Sequence, residues 1–172
     1  MSDESSPAPE APVPVPAPSA SPDGAPGDAP AARSGPTPAL WVERERTRVY
    51  RAHNARGAEV RIGPAEVAEA FTPGELLKVA LAGCTGMSTD HRLAKHLGED
   101  YELVIGVSGA SDHEENRYRS LELELVLSLA GLDEEERTRL VERAEAAAHR
   151  LCTVGRTLAA GAEYTMHVTD ES

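Results

Sequence analysis

Only two residues in this 172-residue chain carry a thiol, Cys84 and Cys152, and each sits late in a stretch with a helical apolar pattern. A thiol does chemistry as its thiolate, so a reactive cysteine needs a cation or a helix N-terminus to lower its pKa. A cysteine on an apolar helical face also packs well as a small inert hydrophobe. Both readings are open from position alone. The helix carrying Cys84 cannot activate it through its own start. That start lies about three turns upstream at about 3.6 residues per turn, and the dipole effect fades within the first turn. Glu75, nine residues before Cys84, falls about half a revolution away and reads as a cap. An arginine from elsewhere is therefore expected. Arg156, just past Cys152, and Arg51 and Arg56 in the first folded segment are the candidates.

Other constellations are thinner. His149 and Cys152, with Cys84 nearby, fall short of the four ligands a structural zinc site wants, so no metal is expected. His91 and His96 are five apart and do not share a helical face. There is no glycine-rich phosphate loop and no G-x-S-x-G element.

The elements that must position the thiols come next. Thr72, Pro73 and Glu75 form a helix-start signal, with Thr72 as N-cap and Glu75 at the capping-box spacing. The helix runs from about Pro73 to Leu97 and stops at Gly98. Leu76, Leu77, Val79, Ala80, Leu81 and Ala82 make its first half apolar most of the way round, which requires burial. Before it, Leu40 to Gly63 reads as one hairpin, with WVERERTRVYR leading in, His53–Gly57 turning and AEVRIG leading out. After it come strands at Tyr101–Ser108 and Leu121–Ser128, joined by a flexible polar loop from Gly109 to Ser120. Asp133 caps a second helix whose stripe of Leu140, Val141, Ala144, Ala147, Ala148 and Leu151 delivers Cys152. A last strand is expected over Ala162–Val168. The fold class is α+β with mainly antiparallel sheets around a buried central helix.

Residues 1–39 hold most of the 13 prolines and almost no large apolar side chain, so they read as a disordered Pro/Ala-rich tail ahead of a domain over 40–172. The tail's P-x-P spacing permits SH3-like docking, with Arg33 as its one basic anchor. It lacks the basic start and apolar core of a signal peptide, and no later run reaches a membrane span. A cytoplasmic location is expected. The net charge of −12 argues against nucleic acid or an anionic membrane as partner.

F-T-P-G-E-L-L-x-x-A-L-A-G-C, followed about 70 residues later by C-T-V-G-R-T-L, resembles the OsmC/Ohr family of organic hydroperoxide reductases. The resemblance covers roughly Leu40 to Val168. It implies an intertwined homodimer with sites at the subunit interface and no cofactor. It also implies a thiol peroxidase, with Cys84 matching the peroxidatic residue and Cys152 the resolving one. The substrate would be an organic hydroperoxide, and re-reduction would come from a thiol or a lipoyl-type dithiol. The glutamate that many members carry after the helix-opening proline is Gly74 here, and C-P-V-S is Cys152-Thr153-Val154-Gly155. With the family's arginine also unplaced, a non-catalytic dimeric binding or stress-associated protein of the same fold is the alternative.

Overall fold

A computed structural model describes residues 39–169. The expected tail and its docking motif lie outside the described residues, Ala39 excepted.

The first segment forms three strands, β1 (Leu40–Arg46), β2 (Val49–Asn54) and β3 (Glu59–Ile62), in one antiparallel sheet of that order. The single leading arm expected from WVERERTRVYR is thus itself a hairpin. Arg48 adopts φ 60°, a left-handed conformation that closes a tight turn after Thr47, and a bulge between Arg44 and Arg46 takes up the mismatch. Nothing in a run of alternating Arg and Glu announces that turn. The second turn falls where expected. Asn54 Oδ1 accepts the N–H groups of Arg56 and Ala58 at 2.8 and 3.1 Å, and Gly57 supplies φ 89°.

Helix α1 (Pro73–Leu97) opens on a complete capping box. The Thr72 hydroxyl accepts Glu75 N–H at 3.2 Å, and the Glu75 carboxylate accepts Thr72 N–H at 2.7 Å. Gly98, at φ 96°, ends it. The helix buries Leu81, Thr85, Thr89, Leu93 and Ala94, while Leu77, one turn before Leu81 on the same stripe, and Val79 and Met87 on other faces stand exposed.

Strands β4 (Leu103–Asp112) and β5 (Arg117–Leu127) form a long antiparallel hairpin. The flexible loop expected over Gly109–Ser120 is replaced by strand and a tight turn. Asp112 organises it: Oδ1 accepts the N–H groups of Glu114 and Glu115 at 3.0 and 3.1 Å, and Oδ2 pairs with Arg119 at 2.7 Å. The Glu115 N–H first, and then Arg119, hold the Asp112 carboxyl below its ordinary range. A side chain that satisfies its own turn lets polar residues stay in the ladder. Leu121, Leu123, Leu125 and Leu127 alternate inward as expected.

Helix α2 (Glu134–Leu151) also opens on a capping box, Asp133 with Glu136. Its Leu140 and Ala144 meet Leu93 of α1 in the core, and Leu97, Tyr101, Leu103, Leu127, Leu129 and Leu132 pack against that cluster. Burial and the neighbouring Asp90 carboxylate push the Tyr101 hydroxyl up to about 12, and it donates to Asp90 at 2.9 Å.

The C-terminal part departs from expectation. After Cys152 a further helix, α3 (Thr153–Ala160), packs against α1 and α2. The strand expected over Ala162–Val168 is not formed in this chain. Tyr164, Met166 and Val168 are 92%, 83% and 91% exposed. A strand is stable only where an edge offers its backbone partners, and no edge of this chain's own sheets is joined by it.

Candidate active site

Cys84 and Cys152 come together where α1, α2 and α3 meet. Cys84 is carried mid-helix on α1, half-buried; Cys152 is the single residue between α2 and α3 and is 3% exposed. Cys152 serves both helices. It ends α2, its N–H donating to Ala148 O at 2.9 Å, and it caps α3, its Sγ accepting the Gly155 N–H at 3.2 Å. Because α3 must start at Cys152, its first backbone amides are delivered beside Cys84.

That geometry supplies the activation missing from α1. The Val154 N–H does most to hold the Cys84 thiol below its ordinary value. The Cys152 side chain comes next, and the Thr153 N–H and the Ser88 hydroxyl add to the effect while burial opposes it. The first turn of α3 has no acidic residue to cancel its field. Both thiols are free.

The candidate arginines are placed differently from one another. Arg51 of β2 is engaged by Glu45 and by Glu59 at 3.4 Å within the first sheet. Arg56 is exposed in the β2–β3 turn. Arg156 is exposed on α3 and lines, with His149 and Cys152, an open cleft of ≈ 860 Å³ floored by Leu123, Leu125 and Leu127. Among the described residues no guanidinium figures among the groups acting on Cys84. No three His, Cys, Asp or Glu side chains among the described residues converge as a metal site.

Sequence reasoning overlooked Thr153 and Val154, whose backbone N–H groups act irrespective of side chain, and Thr85 and Ser88. The signal that could have found α3 was the apolar pair Val154 and Leu158, four apart after the break at Cys152. Gly74 is accounted for by packing: the Tyr118 hydroxyl occupies the space a Cβ there would need, and Lys78 Nζ lies 4.7 Å from the Tyr118 ring centroid. A glutamate at position 74 would have to displace that ring.

Comparison with known proteins agrees with this fold. The family model described as OsmC-like protein matches residues 65–167. An uncharacterized protein of Mycobacterium tuberculosis (strain ATCC 25618 / H37Rv) is 48% identical over 131 residues, covering 76% of this chain and 96% of the relative. Two solved structures share the fold. One is a hypothetical protein from Aquifex aeolicus VF5, at TM-score 0.56 and 20% identity, covering 70% of this chain and 86% of the other. The second is an OsmC-like protein from Mycoplasma pneumoniae, at TM-score 0.54 and 15% identity, covering 70% and 85%.

Proposed function

Given that this chain belongs to the OsmC-like protein family, we propose that it is a thiol-dependent peroxidase that reduces organic hydroperoxides, with Cys84 as the attacking residue and Cys152 as the resolving one. The observation that carries this reading is the pair of free thiols brought together where α1, α2 and α3 meet, with the first amides of α3 and Cys152 holding the Cys84 thiol below its ordinary value.

In this reading the Cys84 thiolate attacks one peroxide oxygen; an S–O bond forms, the O–O bond breaks, and the alkoxide takes up a proton to leave as the alcohol. Cys84 is then a sulfenic acid. The Cys152 sulfur attacks it, the hydroxyl leaves as water with the Cys152 proton, and a disulfide remains. A thiol or a lipoyl-type dithiol returns the two electrons. The reaction is cytoplasmic, where such a donor pool keeps both thiols reduced. Among the described residues no helix is long and apolar enough to cross a membrane. Treating the reduced protein with cumene hydroperoxide should consume both thiols of each chain. Thiols that survive excess hydroperoxide would remove the reading.

The active form in this proposal is an intertwined homodimer. Exposed Leu77, Val79 and Met87 on α1, the unpaired alternating segment Tyr164–Val168 and a sheet of only two strands all support it. Sedimentation equilibrium should give twice the chain mass at micromolar concentration, and deleting residues 162–172 should give the single-chain mass. A full-length monomer would exclude the dimer.

Arg51 engaged by acidic residues and the Tyr118 ring at Gly74 favour the alternative, a non-catalytic dimeric binding or stress-associated protein. That reading requires Cys84 to titrate like a free thiol, near pH 8.5. Its alkylation profile distinguishes the two.

A further inference from the structure

Thr85 follows Cys84 in α1, about 100° further round the helix, and is buried in the core. It is 5% exposed, on the stripe it shares with Leu81, Thr89 and Leu93, and its Oγ1 lies 3.7 Å from Cys152 Sγ. A hydroxyl buried there is costly unless it is hydrogen-bonded, and this sulfur is its partner. The same Sγ accepts the Gly155 N–H at 3.2 Å.

The protons present fix the directions of these bonds. An amide N–H only donates. When Cys84 carries the charge, the one proton the two neighbouring thiols have to share is that of the Cys152 S–H. That proton is then committed, so the Thr85 bond must run from hydroxyl to sulfur.

We propose that Thr85 is a positioning residue for the thiol pair: its hydroxyl, with the Gly155 amide, fixes Cys152 Sγ so that the S–H proton points at Cys84. This rests on the reading of Cys84 as the attacking thiolate, and it gives Cys152 a role before resolution, as the donor that stabilises the thiolate. Two donors on one sulfur polarise its remaining S–H bond and strengthen what it offers Cys84. Gly155 belongs to the same device. A Cβ there would lie 3.3 Å from Cys152 Sγ and 3.5 Å from Leu81 Cδ1, tight enough to press the sulfur from its place.

The test is the pH dependence of Cys84 alkylation by iodoacetamide in the reduced full-length protein, resolved by peptide mass spectrometry, which requires no peroxide. Thr85→Val keeps the shape and removes the donor; the Cys84 midpoint is expected to rise by about half a pH unit, about a threefold smaller thiolate fraction well below the midpoint. Thr85→Ser restores the donor and should return the wild-type midpoint. Thr85→Ala should rise like the valine variant and replaces it if valine is not tolerated. Unchanged midpoints without the hydroxyl, or a serine variant shifted as far as valine, would overturn the assignment. Cumene hydroperoxide on the same samples separates the two readings. An inert wild type whose midpoint still responds to Thr85 removes the peroxidase and keeps the positioning role. An active wild type indifferent to Thr85 does the reverse.

Discussion

Cys84→Ser is expected to abolish hydroperoxide-driven thiol loss, by at least about a thousandfold, because the thiolate is the nucleophile and a serine hydroxyl stays protonated at neutral pH. The amides of Thr153 and Val154 can favour an anion already within reach of neutrality, as a thiol is; they cannot ionise an alcohol. Cys152→Ser should separate the steps. Cys84 would still reach the sulfenic acid, trapped by dimedone, and no disulfide would follow. The pH profile has a definite sign. Bonds to the charged form lower the Cys84 pKa, so its reactivity should rise and level off below the free-thiol value of about 8.5. Stopped-flow oxidation of wild type and both variants measures all of this. Hydroperoxide reduction by Cys84→Ser at the wild-type rate would exclude Cys84 as the nucleophile.

Leu140→Ala is expected to remove about 2–5 kcal/mol of stability, the range for truncating a well-packed core leucine. Leu140 is 1% exposed and joins Leu93 of α1 to Ala144 of its own helix, with Leu97, Leu103 and Leu127 packed around them. Among the described residues few side chains are buried as deeply. The loss bears on the site as well, since α2 ends at Cys152. Urea unfolding followed by circular dichroism gives the value. A loss below about 1 kcal/mol would mean that the core lies elsewhere or collapses around the cavity.

Much of the architecture is local and can be read from the chain. Thr72 with Glu75 and Asp133 with Glu136 mark two helix starts because a cap and its reciprocal partner act within one turn. Gly98 marks an end because it tolerates φ 96°. The alternation from Leu121 to Leu127 gives β5 its inner face. What misled were features set by pairing or geometry rather than residue type. The turn at Arg48 uses a left-handed conformation at an arginine, and Asp112 turns an apparent loop into strand by accepting the backbone N–H groups of Glu114 and Glu115.

The two cysteines, and the helices that carry them, were determined by the sequence itself. Whether anything lowers the Cys84 pKa was a matter only the tertiary structure could decide. The activating groups are backbone amides at the start of α3, and amides are the same in every residue, so no pattern of side chains announces them. They act on Cys84 only because Cys152 ends one helix, begins the next and turns the new amides toward α1. An arginine is the activator a sequence suggests because charge is visible in it. The field of a folded backbone exists only once the chain has folded.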